Sequence, residues 1–217
     1  MKHVSSNIEV AGETQVRVPT RRALAKQQTR AKVLAAARRL FSEAGYEGAT
    51  IRDIAAEAGM STGAVFANFT DKSDLFREIM VADMEALVEA MRDGVSRGRG
   101  VDDTLLKLFV AGYAFYKTRL PLARAAFGIS WMPEQGQELR NLPPVLELQE
   151  LFTEQLTLGV ERGELSQEAE VKLRSQMLFD CYLANFQEAI FGGWSLEALQ
   201  AKSKDQIRVI LAGARRG

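Results

Sequence analysis

The sequence predicts an all-α protein, and three observations predict it. Apolar residues recur three and four positions apart through most of the chain, glycines and prolines fall between those runs, and no segment shows strand-like alternation. The chain has 217 residues, 47% hydrophobic and 26% charged, enough for a small helical domain plus a larger one.

Residues 1–24 are polar, lack helical periodicity and contain Pro19, so they read as a flexible basic arm. The first helix is expected over about 26–44, with Val33, Ala37, Leu40 and Phe41 on one face and Gly45 ending it. A second helix is expected over about 50–58. Thr50 stands at its N-cap with Asp53 in the capping-box position. Ala55 is small where two helices cross, and Gly59 suits a left-handed turn. Ser61 then caps a third helix over about 61–68, whose Val65 and Phe69 point inward. Helices 2 and 3 with their tight turn form a helix-turn-helix over about 50–69, a shape that presents its second helix to the major groove of DNA.

A fourth helix starts at Asp71 and carries Leu75, Phe76, Ile79, Met80, Met84 and Leu87 at helical spacing. Gly94, Gly98 and Gly100, around Arg97 and Arg99, mark a boundary. An N-terminal domain is therefore expected over 27–87 and a helical C-terminal domain over 101–214. Within the latter, helices are expected at about 102–119, 121–132, 143–162, 166–191 and 195–214. Pro121, Pro133, Pro143, Pro144, Gly163, Gly192 and Gly193 punctuate them.

Lys and Arg total 28, as do Asp and Glu, yet the charge is unevenly placed. Residues 17–80 hold eleven Lys/Arg against seven Asp/Glu, and no acidic residue occurs from Thr14 through Ser42. Positive charge beside a helix-turn-helix is the footprint that phosphate binding requires, and the arm and first helix are placed to follow a DNA backbone. His3 is the single histidine and Cys181 the single cysteine. That disfavours metal sites, an intrachain disulfide and His-dependent nucleophilic catalysis, so no metal, cofactor or enzymatic role is expected. No apolar leader opens the chain, and the longest apolar run, Leu108–Tyr116, is too short for a bilayer. A cytoplasmic location without membrane contact is expected.

Thr29–Phe76 resembles the DNA-binding domain of TetR-family transcriptional regulators. The resemblance is carried by Ala36-Ala-Arg-Arg-Leu-Phe41, Gly45-Tyr46, Thr50-Ile-Arg-Asp-Ile-Ala55, Gly59, Ser61-Thr-Gly63 and Phe69-Thr-Asp-Lys72-Ser-Asp-Leu-Phe76. It implies a homodimer that binds a palindromic double-stranded operator, usually as a repressor, and is released by a small molecule held in the C-terminal domain. It also implies dimerisation through the last two helices, 166–191 and 195–214. The family's third helix usually ends aromatic-x-His-Phe with Tyr first. Here Phe66-Ala67-Asn68-Phe69 lacks the phenol that would donate to phosphate.

Thr50, Arg52, Ser61, Thr62, Gly63, Ala64, Phe66, Asn68 and Lys72 are the candidate DNA contacts. Thr62 and Ala64 should face base edges, Ala64 through a thymine methyl, and Gly63 permits close approach. Arg52 can reach a base or phosphate and Lys72 a phosphate, while Thr50 and Ser61 cap their helices. The C-terminal aromatics Phe109, Tyr113, Tyr116, Phe127, Trp131, Phe152, Phe179, Tyr182 and Phe186 are candidates for an apolar ligand pocket, with Asn185 and Gln176 as polar handles. They read equally as packed core. A rival reading of the whole chain is a dimeric small-molecule sensor or carrier whose helix-turn-helix is vestigial.

Overall fold

A computed structural model describes residues 20–95, 98–117, 119–130 and 132–215. Ten helices follow in chain order among these residues. They are α1 (Arg21–Gly48), α2 (Ile51–Glu57), α3 (Thr62–Phe66), α4 (Lys72–Val95), α5 (Val101–Lys117), α6 (Leu120–Ser130), α7 (Pro133–Arg140), α8 (Pro143–Glu161), α9 (Val171–Gly192) and α10 (Leu196–Ile210). The all-α expectation holds. Residues 1–19, including Pro19 and Arg17 of the expected arm, and also Arg97 and Trp131, lie outside the described residues.

Helix α1 starts at Arg21, earlier than expected, because Thr20 caps it by accepting from the Ala23 amide at 3.3 Å. Its backbone leaves the helix at Gly45 (φ 73°, ψ 176°), where the sequence places the stop. Two helix boundaries in the C-terminal half differ from expectation. Helix α9 begins at Val171 because the preceding segment is held otherwise: the Ser166 amide donates to the Ala214 carbonyl at 2.7 Å, and Glu170 is left-handed (φ 47°). Helix α10 ends at Ile210 for the complementary reason, its following residues turning back through Gly213 to make that bond.

Helix α7 is the element the sequence reading did not anticipate. Its segment, Pro-Glu-Gln-Gly-Gln-Glu-Leu-Arg, is polar, holds a glycine and starts with Pro133, which the pattern reads as punctuation. Proline is nevertheless well placed in a first turn, where its missing N–H leaves no bond unmade. Gly136 lets α7 lie against the end of α6: a Cβ there would run into the Ser130 carbonyl.

Two apolar cores form. The first joins α4, α5, α8, α9 and α10 around Phe109, Phe152 and Tyr182. The second joins α1–α4 around Phe41, Ile54, Val65, Leu75 and Phe76, and it is completed by Leu122, Ala125 and Ile129 of α6 together with Leu142. The N-terminal core therefore does not close on its own residues. Helix α4 runs unbroken between the two, with Met80 in one, Leu87 in the other, and Met84 packed on both.

Polar clamps reinforce this join. Arg38 of α1 pairs with Asp83 of α4, a carboxylate only 5% exposed. Arg30 of α1 pairs with Glu78, donates to the Asn68 carbonyl at 2.6 Å and lies over the Phe69 ring at 4.2 Å. Breaking such a pair from one side leaves a buried charge uncompensated, which costs about 3–5 kcal/mol for a fully buried ion and less for the partly exposed Arg38.

Close packing makes two glycines testable. Gly112 of α5 faces the Tyr182 ring, whose Cε2 would lie 2.8 Å from an added Cβ. Gly112→Ala should lower unfolding free energy by about 1–3 kcal/mol through overpacking. Gly128→Ala, in α6 with open space at its Cβ position, should leave stability the same or raised. Denaturant unfolding of the two variants beside wild type checks both.

Candidate functional site

The helix-turn-helix is built from side-chain caps and one backbone motif. Thr50 accepts from the Asp53 amide at 3.2 Å and donates its hydroxyl to the Asp53 carboxylate at 2.6 Å. The end of α2 is a Schellman turn. The Met60 amide donates to the Ala55 carbonyl at 2.9 Å and the Gly59 amide to Ala56 at 3.1 Å, with Gly59 at φ 67°. Ser61 then caps α3 by accepting from the Ala64 amide at 3.2 Å. Ile54, Ala55, Val65 and Phe69 are buried against α1 and α4, which fixes the angle between the two helices.

What this leaves outward is a small face. Thr50, Arg52, Ser61, Thr62 and Gly63 are exposed, Ala64 is half-buried, and the Phe66 ring is 55% exposed. The ring stands at the end of a five-residue helix and belongs to neither apolar core.

Two candidates sit differently. Asn68 turns back along its own helix, its amide donating to the Ala64 carbonyl at 3.0 Å, and its side-chain oxygen is buried without a protein partner. Lys72 donates to the Tyr46 carbonyl at 2.9 Å, lies over the Tyr46 ring at 4.3 Å and approaches Glu47 at 4.0 Å. Its ammonium locks the start of α4 onto the turn after α1. Several cations of the basic stretch are likewise used internally: Arg30 and Arg38 as above, and Arg39 with Glu43 and Glu57. Arg21, Arg22, Lys26 and Lys32 are exposed on α1 and make no ion pair among the described residues.

The second candidate region is a cavity of about 600 Å³ between α4, α6, α7, α8 and α9. Five of the nine aromatic candidates line it: Tyr116, Phe127, Phe179, Tyr182 and Phe186. Phe109, Tyr113 and Phe152 do not. They form the layer behind, with Phe109 edge-on to both Phe152 and Tyr182 at 5.6 Å and Tyr113 stacked on Tyr182 at 5.2 Å. Burial raises the phenol pKa of both Tyr116 and Tyr182, so both rings are neutral near pH 7. Of the polar handles, Gln176 lines the cavity, whereas Asn185 is fully buried in a reciprocal amide pair with Gln206.

The floor of the cavity, Met80, Met84 and Leu87, comes from α4. Its side wall at Ala123, Ala126 and Phe127 is one face of α6, whose other face completes the N-terminal core. Leu139, Leu142 and Val145, which line the cavity beside α7, also pack on that core. Sequence periodicity does not reach these contributions, because the α7 segment is polar with a proline and a glycine, and the floor residues of α4 fall within the bounds expected for the N-terminal domain.

Comparison with known proteins bears on the first region. Residues 33–79 match the model of the bacterial regulatory proteins, tetR family. The match spans the helix-turn-helix and the helices packed around it. Over 73 residues it is 44% identical to the HTH-type transcriptional repressor AcnR of Corynebacterium diphtheriae, a match covering 30% of this chain and 38% of that one. The AcnR of Corynebacterium glutamicum aligns more widely, at 27% identity over 79% of this chain and 86% of that protein. Among solved structures, a Mesorhizobium loti protein described as a TetR-family transcriptional regulator superposes with a TM-score of 0.71 at 21% identity, covering 91% of this chain and all of that one. The regulator FadR from Bacillus subtilis, solved in complex with stearoyl-CoA, also gives 0.71, at 18% identity over 85% of this chain and 99% of FadR. At such identities these structures speak to fold alone.

The caps generate a stability prediction that separates folding from recognition. Ser61→Ala should cost about 1 kcal/mol by removing the α3 cap, while Ser61→Asp, which keeps an acceptor, should retain most of it. Thermal unfolding of the two variants measures the difference.

Proposed function

We propose that this chain is a TetR-family transcriptional repressor that binds a palindromic operator as a homodimer and lets go when a small apolar or aromatic molecule enters the cavity between α4, α6, α7, α8 and α9. The observation that carries the reading is the joined geometry: a capped helix-turn-helix whose core is closed by α6, the helix that also walls the cavity.

On this reading α3 enters the major groove, with Thr62 and Ala64 toward base edges, Gly63 allowing close approach and Phe66 presenting an apolar ring. Thr50 and Ser61 lie at helix starts, where amides favour phosphate. Arg52 supplies a cation to a base or phosphate. Asn68 and Lys72 contribute by fixing the end of α3 and the start of α4, and Lys72 keeps further ammonium donors for a phosphate. The exposed cations Arg21, Arg22, Lys26 and Lys32 extend the phosphate track along α1.

The homodimer is proposed to form through α9 and α10. Exposed apolar side chains supporting it are Leu173, Met177 and Phe191 on α9, Trp194 between the helices and Val209 on α10. The interior faces of the same helices, including Leu178, Ile190, Leu199, Ile207, Ile210 and Leu211, are already used in the monomer core. The coupling follows from α6 packing on the N-terminal core and walling the cavity at once. A ligand that shifts Ala126 or Phe127 must shift Leu122, Ala125 and Ile129 against α1, and so alter the separation of the two reading helices in a dimer. A regulator acting on DNA belongs in the cytoplasm; no helix among the described residues is long and apolar enough to cross a membrane.

The test is selection of a binding sequence from random double-stranded DNA, followed by fluorescence anisotropy on the enriched site. Arg52→Ala should weaken binding by about 1–3 kcal/mol if Arg52 reads a guanine, with relaxed preference at one position per half-site. Ala126→Trp, which fills the cavity, should abolish uptake of a neutral fluorescent apolar probe and, by displacing α6 as the ligand would, weaken operator binding. Recovery of no enriched sequence would favour the sensor or carrier reading.

A further inference from the structure

The cavity has a direction. Its α4 end is apolar, made by Met80, Met84, Leu87 and the Tyr116 ring, and this end is closed. Its exposed lining is on α7 and α9, at Arg140, Gln176, Asp180, Ala184 and Gln187, and all of these but Ala184 are polar or charged. A ligand with an apolar body and one polar end therefore fits in only one orientation, body inward and head at the rim.

The rim also selects the sign of that head. Arg140 and Asp180 are the two charged side chains lining the cavity among the described residues, and their hydrogen bonding differs. On the α9 side the bonds run in series. Gln149 Nε2 donates to Gln176 Oε1 at 2.6 Å, and Gln176 Nε2 donates to Asp180 Oδ1 at 2.9 Å. The carboxylate is thereby supplied with a donor, Gln149 having spent one donor on Gln176 and Gln176 one on Asp180. Across the rim, Arg140 donates from Nη1 to the Ser130 carbonyl at 2.9 Å and makes no ion pair among the described residues. That single bond anchors the guanidinium at the end of α6 without consuming its remaining donors, which number five in all. A planar fork with donors to spare is matched by a carboxylate, which it can hold bidentately.

We propose that the effector is an apolar carboxylic acid, bound as the carboxylate at Arg140 with its hydrocarbon body on the aromatic and methionine walls. The inference rests on the cavity being the effector site. It also assigns α7 a role: the helix carries the headgroup cation, while the neighbouring Leu139 packs on the core of the DNA-reading unit. The rim Asp180 repels the head to a degree, and Asp180→Asn should accordingly tighten binding of the acid.

Displacement of a neutral probe, N-phenyl-1-naphthylamine, from the full-length protein tests the class. Decanoate, decanol and decylamine at micromolar concentrations are the competitors. Decanoate should displace at a concentration about ten-fold below decanol, and Arg140→Gln, which removes the charge and the fork, should remove that advantage while leaving decanol unchanged. Circular dichroism of Arg140→Gln checks that it is folded; if it is not, Arg140→Lys, which retains the charge but not the fork, takes its place and should lose part of the advantage. Equal displacement by decanoate and decanol, or tightest binding of decylamine, or no displacement by any of the three from a protein that takes up the probe, would overturn the carboxylate class and leave the cavity reading standing. A wild-type protein that takes up no probe would remove the cavity reading, and this inference with it.

Discussion

The packing of α6 against α1 is the contact on which the arrangement depends. Leu122, Ala125 and Ile129 supply apolar surface that Val33, Ala37 and Phe41 need in order to be buried, and the short helices α2 and α3 are too small to provide it. Burying side chains of this kind contributes about 1.5–3 kcal/mol each relative to leaving them in water, so losing one helix face would threaten the whole N-terminal unit. The opposite face of α6 meets the cavity. Its position is consequently fixed by two packing surfaces at once, and neither can repack without the other responding.

Electrostatics work alongside this packing. A chain with as many cations as anions still gathers positive charge near α1–α3, but much of that charge is spent internally. Arg30, Arg38 and Arg39 hold α1 to α4 and α2 through carboxylates on those helices. The exposed remainder is concentrated toward the start of α1. Charge is thus divided along one helix: Arg30, Arg38 and Arg39 hold the fold, while Arg21, Arg22 and Lys26 near Thr20 stand in solvent.

Much of the N-terminal unit was legible in the sequence because its signals are local. Caps at Thr50 and Ser61, a left-handed glycine at Gly59 and the spacing of Ala55 and Val65 each specify backbone within a few residues. The cavity was half legible. Aromatic residues on α5, α6 and α9 could be named, but periodicity cannot say whether an inward ring touches a void or another ring. Phe109, Tyr113 and Phe152 proved to be the second layer, while Phe127 and Phe186 face the space. Helix α7 was illegible because its glycine and proline carry loop statistics, and only its docking on the end of α6 makes it a helix. Asn68 and Lys72 were named by position, and their inward bonds depend on neighbours remote in sequence.

The incomplete core of the N-terminal unit has a consequence for how such a chain could be recombined. A fragment ending after α4 would expose the groove on α1 that α6 fills, an apolar surface of the sort that drives aggregation. The reading head is not a detachable module with a linker. Grafting it onto another C-terminal domain would require either carrying α6 along or choosing a recipient whose own sixth helix presents branched and small residues at the register of Leu122, Ala125 and Ile129. Divergence in the C-terminal domain is thereby constrained by three residues that do not line its cavity.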